Sequence, residues 1–265
     1  MAEKQRYFIE LSYDGTNYHG WQVQPNAVTV QQLLDEALTI VLRQPIETTG
    51  CGRTDTGVHA TEFFAHFDYQ SIVDSPLTIA DPAKTMDHGP WTMDTRGLNA
   101  VLPKDIAIKR IIPVQPEAHA RFDATLRSYE YHIHFEKDPF RLNRSWELRD
   151  KPDIALMNDA AAMMMEYTDF SCFSKSNTQT FTNNCKMTRA EWVEKEGGIV
   201  FHISADRFLR NMVRAIVGTL IAIGRKEMEP AAIKQIIESK NRSNAGTSVP
   251  ACGLYLTEVK YPYLQ

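Results

Sequence analysis

Residues 52–60 run Gly-Arg-Thr-Asp-Thr-Gly-Val-His-Ala, an arginine and a carboxylate held between two glycines. Glycine tolerates positive φ and lets backbone approach a ligand closely. The stretch therefore predicts a tight loop, between two apolar strands, that presents Arg53 and Asp55. An ordinary turn closed by Asp and Thr hydrogen bonds has the same composition. Two rival chemistries share the neighbourhood. Cys51 and His59 could act as nucleophile and base, with Asp55 orienting the imidazole; a cysteine directly after a strand is more often a buried structural thiol. His132 and His134, two apart on a strand and flanked by Glu130 and Glu136, could begin a metal site. No third ligand is identifiable, and solvated strand histidines are the simpler expectation. Neither a Walker A loop nor Gly-x-Gly-x-x-Gly occurs, which disfavours a nucleotide cofactor.

Cations form the second group. Arg207, Arg210 and Arg214 are spaced three and four apart, which gathers them on one side of a helix or its entrance. No acidic residue lies at i±4 of Arg207 or Arg214, and only Asp206 stands four before Arg210. Unpaired arginines of this kind suit phosphates or a buried carboxylate. In the loop after the first strand, Tyr18, His19, Trp21, Gln22 and Gln24 set rings beside amides. RNA is read by such groups, through stacking and phosphate contacts; a packed loop with Tyr18 and Trp21 in the core would look the same.

These residues must be carried by a chain of 265 residues, 43% hydrophobic and 23% charged. That is enough for one large or two small domains with a real core. No apolar run is long enough to cross a membrane, and the N-terminus lacks an apolar signal core. Four scattered cysteines exclude a disulfide scaffold and a zinc ribbon. The cytoplasm is the expected compartment. The net charge of −4 argues mildly against nucleic acid, but two segments are basic: 96–149 with 10 cations against 7 anions, and 200–226 with 5 against 1. A fold that joined them would make one basic surface.

Alternation of Tyr7, Ile9, Leu11 and Tyr13 predicts a strand. Thr29, with Gln32 three residues on, is a capping box before a helix whose stripe is Val30, Leu33, Leu34, Ala37, Leu38 and Val41. Phe63–Phe67 and Asp105–Ile112 read as strands. The segment 71–95, acidic and proline-containing, reads as an inserted loop or lid, with strand-like residues resuming near Arg96. Tyr129, Tyr131, Ile133 and Phe135 share one face of a further strand. A helix at 153–167, two strands at 187–195 and 199–206 turning at Gly197-Gly198, a helix from Leu209, a helix at 230–238 and a closing strand follow. The outline repeats strand–helix–strand–strand twice, so the expected fold is α+β in two similar halves, 1–105 and 106–265. Each half would be an antiparallel sheet with helices on one face.

Gly52–Ala60 resembles the signature loop of the tRNA pseudouridine synthase A family. Similar stretches occur in the family's order: Tyr13–Asn26 with Thr29–Leu38, Leu98–Ile108, Ala118–Ile133, Phe208–Gly218 and Gly253–Tyr263. Six motifs over nearly the whole chain make the resemblance specific. Three departures stand out: a longer acidic 71–95 stretch, Thr56 in place of the usual alanine, and the bulky Thr61-Glu62-Phe63-Phe64.

The resemblance implies an isomerase that converts uridine to pseudouridine at positions 38, 39 and 40 of the tRNA anticodon stem-loop. It implies two similar halves around a central basic cleft, a homodimer, and no metal or organic cofactor. By the same resemblance Asp55 is the catalytic aspartate, Arg53 helps hold the RNA and flip the base, Tyr129 stacks on the target base, and Arg214 pairs with Asp55. Arg207, Arg210, Tyr18, His19, Trp21 and Gln22 are further RNA-binding candidates. The chemistry is compatible: the isomerisation needs neither redox change nor net water, and an ionised carboxylate in a dry pocket needs a counter-cation. Extruding the base costs a few kcal/mol, which an intruding Arg53 and a stacking Tyr129 would offset. A non-catalytic tRNA-binding protein on the same fold, or a metal-dependent hydrolase built on His132 and His134, are the alternatives. Retention of Asp55 with both arginines speaks against the first.

Overall fold

The computed structural model describes residues 4–70, 95–175 and 182–264. The 71–94 part of the expected insertion lies outside the described residues. The chain folds as α+β, with five helices among the described residues packed on a nine-stranded mixed sheet.

Strand β1 (Lys4–Tyr13) leads through a loop into helix α1 (Val30–Leu42). The helix starts where expected because the Thr29 side chain accepts from the Gln32 backbone N–H, and it buries Val30, Leu34, Ala37 and Leu38. Val30, Leu34 and Leu38 each contribute about 1.5–3 kcal/mol when fully removed from water. The second half of the capping box is absent: the Gln32 amide donates to Glu36 at 2.9 Å. Strands β2 (Thr49–Gly50) and β3 (His59–Gln70) follow, then α2 (Thr95–Val101) and β4 (Ile106–Val114). Thr95–Val101 is thus helical where extended chain was expected. Its only buried residue is Leu98, so the sequence carries no helical stripe there to read.

The remainder is β5 (Leu126–His134), the short β6 (Trp146–Glu147), α3 (Ile154–Met164), β7 (Met187–Lys195), β8 (Gly198–Ala205), α4 (Met212–Gly224), α5 (Ala232–Ser239) and β9 (Leu254–Lys260). The β7–β8 turn is Glu196-Gly197, with Lys195 opposite Gly198; Gly197 takes φ +68°, which a side chain would resist. Helix α4 starts at Met212, so Arg207 and Arg210 stand at its entrance and only Arg214 is on it.

The strands lie in the order β4-β1-β3-β9-β5-β8-β7, with β2 beside β3 and β6 beside β5. Along that order every neighbouring pair is antiparallel except β3 and β9, which run parallel over His59↔Tyr255 and Ala60↔Leu256. That narrow contact is where the front and back of the chain meet. Two clusters of buried side chains form. One includes Phe8, Leu34, Leu38, Phe63, Ile108 and Ala120 together with Leu256 and Tyr261, so it draws on chain well beyond residue 105. The other includes Tyr131, Met157, Phe201, Ile216 and Ile233. Tyr129 packs against both. The Gly52–Val58 loop lies at the same seam: Cys51 and Ala60 belong to the first cluster and Val58 to the second.

Candidate active site

The loop between β2 and β3 is fixed by its own backbone and by the loop that precedes α1. Val58 N–H donates to Asp55 O at 3.2 Å, closing a turn in which Gly57 takes φ +78°. Gly57 N–H donates to Tyr18 O and Trp21 N–H to Thr54 O, each at 3.3 Å. Tyr13 Oη and Thr54 Oγ1 are 2.9 Å apart. Gly20, at φ +86°, approaches so closely that a Cβ there would sit 2.2 Å from Thr54 O. The backbone is thus engaged from two sides, and the Arg53 and Asp55 side chains project from it, Arg53 exposed.

Asp55 meets cations from the other end of the chain. Arg214 Nη1 lies 3.3 Å from Asp55 Oδ2, and Arg210 Nε lies 3.9 Å from Oδ1. Arg214 also donates through Nε to Val249 O at 2.8 Å. The 246–253 segment that supplies this carbonyl is laid tightly on its neighbours. A Cβ on Gly218 of α4 would collide with Thr247 O at 1.8 Å, and the buried Tyr131 hydroxyl donates to Pro250 O at 2.7 Å. Asp55 keeps 29% of its side chain exposed, enough for a ligand to reach it.

Tyr129 is half-buried and meets Phe208 edge-on, ring centroids 5.0 Å apart. Burial pushes its phenol well above the ordinary tyrosine value, with Asp55 among the charges that add to the shift. Tyr129 is therefore a neutral ring beside the Asp55 carboxylate.

Arg127 was not anticipated from sequence. It is 8% exposed, and among the described residues its hydrogen bonds all go to backbone carbonyls. Its guanidinium donates to Cys51 O at 2.8 and 3.3 Å, to Arg121 O at 2.7 Å and to Asp206 O at 3.0 Å. One side chain thereby ties the start of the Asp55 loop to the turn before β5 and to the chain entering α4. The signal was available: Arg127 is in phase with Tyr129, Tyr131 and Ile133, a charge on the inward face of a strand. Arg121 is held below the ordinary arginine value, first by burial and then by the charges of Arg53, Arg127 and Arg207. Four guanidiniums are therefore gathered beside the loop.

Residues 160–262 match the family model described as tRNA pseudouridine synthase. The chain is 46% identical over 258 residues to tRNA pseudouridine synthase A of Parabacteroides distasonis, covering 97% of this chain and 96% of that protein. It is 48% identical over 259 residues to the Porphyromonas gingivalis protein of the same name, 97% of each chain. It is 37% identical over 264 residues to that of Neisseria meningitidis, 98% of this chain and 94% of that protein. The chain belongs to the tRNA pseudouridine synthase family.

In this family member, several candidates stand elsewhere than the sequence suggested. Tyr18 and Trp21 are 4% and 2% exposed and offer no ring to a base. Trp21 stacks on Phe63 at 4.2 Å and is met by Gly50, where a Cβ would come within 2.5 Å of the indole. Tyr18 donates its hydroxyl to Asp105. The core reading of that loop therefore holds, and only His19 and Gln22 of the four are exposed. Arg53 is exposed beside the site. Cys51 is fully buried, and burial pushes its thiol up to about 11; it is not a thiolate nucleophile. His59 is buried, accepts from Gly15 N–H at 3.0 Å and faces Asp14, not Cys51. The strand histidines are not both solvated: His132 pairs with Glu130 at 2.8 Å, whereas His134 is buried. Among the described residues no group of three or more His, Cys, Asp or Glu could hold a metal ion, and no helix is long and apolar enough to cross a membrane.

Proposed function

We propose that this protein isomerises uridine to pseudouridine in tRNA, at positions 38, 39 and 40 of the anticodon stem-loop, with Asp55 as its catalytic carboxylate. The observation that carries the residue assignment is the Asp55–Arg214 pair at 3.3 Å, set beside the Tyr129 ring in a chain so similar to enzymes named for this reaction. In the reaction the C1′–N1 bond breaks, the base turns, C1′ bonds to C5, the C5 hydrogen leaves as a proton and N1 takes up a proton. Electrons balance without a redox partner or net water. Asp55 supplies the carboxylate, and Arg214, anchored on Val249 O, pairs with it and aims it. Tyr129 stacks on the extruded uracil and Arg53 enters the space the base leaves, offsetting a cost of a few kcal/mol. Arg207, Arg210 and the surface pair His19 and Gln22 meet the RNA backbone around it.

The two buried clusters, one on each side of the β3–β9 contact, support two halves that flank a cleft lined by Arg53, Arg121, Arg207 and Arg210. We read the working form as a cytoplasmic homodimer acting on tRNA, with no cofactor. Tritium release from tRNA labelled at uridine C5, with purified enzyme and no methyl donor, tests the assignment, because that hydrogen is then lost when carbon replaces nitrogen at the glycosidic bond. Wild type is expected to release it. Asp55→Asn is expected to release none while folding and binding tRNA nearly as well. Turnover retained in Asp55→Asn overturns Asp55 as the catalytic group. A folded wild type that binds unmodified tRNA without release favours a non-catalytic binding protein.

A further inference from the structure

Phe122 is 74% exposed, and the turn that carries it is rigidly built. His119 N–H donates to Asp123 Oδ2 at 2.7 Å and Asp123 N–H to His119 O at 3.0 Å. The backbone N–H groups of Arg121 and Phe122 both converge on His119 Nδ1, at 3.1 and 3.3 Å. Tyr263 donates its hydroxyl to the same Asp123 oxygen at 2.7 Å. Burial pushes the His119 imidazole below its ordinary value, so Nδ1 stays an acceptor and the turn stays closed. The exposure of Phe122 is therefore imposed by a braced turn and is not the result of loose chain.

The company of this ring is equally specific. The His119 ring lies 4.2 Å from it, centroid to centroid, at a 34° tilt. The Arg121 guanidinium carbon is 5.7 Å from its centroid, within cation–π reach. Arg121 in turn feels the charges of Arg53 and Arg207, and its carbonyl is held by Arg127, the side chain that also holds Cys51. A flat apolar ring, a guanidinium beside it and further cations close by form the set of groups that takes an unpaired nucleobase with its phosphates. An apolar protein partner would not call for the cations.

We propose that Phe122, flanked by Arg121, is a stacking platform for an unpaired base of the bound RNA, a second base-binding position distinct from Tyr129. The proposal rests on the tRNA reading above. Base–aromatic stacking is sequence-tolerant because every base has a π-face. The platform therefore grips the single-stranded loop of different tRNAs alike while Tyr129 receives the target.

Three variants test it in the full-length enzyme: Phe122→Ala, Phe122→Leu and Phe122→Trp, with the thermal unfolding midpoint checked for each. Phe122→Ala is expected to weaken binding of unmodified tRNA about tenfold or more, with the loss falling on KM and not on kcat. Phe122→Leu is expected to resemble the alanine variant, since it keeps apolar area and loses the π-face. Phe122→Trp is expected to bind as wild type, with its added indole fluorescence quenched by tRNA and not by a blunt RNA duplex. Wild-type affinity in a folded Phe122→Ala or Phe122→Leu variant overturns the platform. So does a change of oligomeric state with unchanged tRNA affinity, which would make Phe122 a protein contact. If wild type itself neither binds tRNA nor releases tritium, the functional reading falls and takes the platform with it; if wild type does both, failure of the Phe122 series touches the platform alone.

Discussion

Asp55 has two cations upon it, and they differ in kind. Arg210 is 56% exposed and lies at the limit of ion pairing, 3.9 Å away; a pair so open to water is worth about 0–1 kcal/mol. Arg214 is 21% exposed, lies 3.3 Å away and has a second bond to Val249 O. Its planar fork serves two acceptors at once, which the single ammonium of lysine does not reproduce. Arg214→Lys is therefore expected to lower kcat about hundredfold, the order seen when an aimed electrostatic group is removed, while tRNA affinity changes little. Single-turnover tritium release at saturating enzyme measures this; a rate within a few-fold of wild type would remove Arg214 from its role. Asp55, Arg53 and Arg214 were singled out by the family resemblance, since an ordinary turn and a solvated helix face have the same composition; the 3.3 Å approach of Arg214 to Asp55 is a tertiary fact. Tyr18 and Trp21 were not, because an aromatic ring is equally suited to stacking and to filling a core. Only the close approach of Gly50 to Trp21, a tertiary fact, separates the two.

β5 carries Tyr129, beside Asp55, and, two residues before it, the Arg127 side chain that holds three stretches of chain together. The strand was readable from period two, and so was the oddity of a charge in that phase; the three carbonyl-bearing segments it joins were not, since they are distant in sequence. Arg127→Met keeps length and removes every donor. It is expected to cost about 3 kcal/mol or more, since charge-assisted hydrogen bonds contribute about 1.5–3 kcal/mol each and orphaned carbonyls add to the loss. A urea midpoint lowered at unchanged slope would report it; an unchanged midpoint would make the guanidinium structurally idle. Helix α1 was legible for the opposite reason, a local cap and a full stripe, while the single buried Leu98 of α2 left its seven residues without a period. β3 adds a titration. Burial pushes His66 down to about 4, and its Nδ1 accepts the Ala120 N–H at 3.2 Å. The folded value lies below the ordinary 6.5, so the unfolded chain binds the extra proton between these limits and stability falls as pH drops from 6.5 toward 4. The drop in unfolding midpoint between pH 7.5 and 5 is expected to be smaller in His66→Gln than in wild type; an equal drop in both would place the sensitivity elsewhere.

A molecule of net charge −4 that handles RNA must concentrate its cations. The basic stretches of the sequence do converge, since Arg121 from one and Arg207 from the other lie close enough to act on each other's charge. What the sequence could not supply is the seam: β3 and β9 touch over two residue pairs, and that contact brings the Asp55 loop to Arg210 and Arg214 from more than 150 residues away. Long-range attraction and direct phosphate neutralisation are separable here. Without a cation that touches phosphate, fewer counterions are released on binding. The slope of log affinity against log salt then flattens by about 0.7–0.9 for each phosphate no longer neutralised. Removing a distant cation changes the net charge equally and leaves the slope alone. Arg207→Ala and Arg210→Ala are therefore each expected to weaken tRNA binding and flatten the slope. Arg189→Ala is expected to leave it unchanged, because that side chain is spent on Glu191 at 2.6 Å on β7. Binding isotherms over a range of salt concentrations decide it. Equal slopes in all four proteins would remove Arg207 and Arg210 from the interface, whereas a flattened slope in Arg189→Ala would move the RNA to the far edge of the sheet.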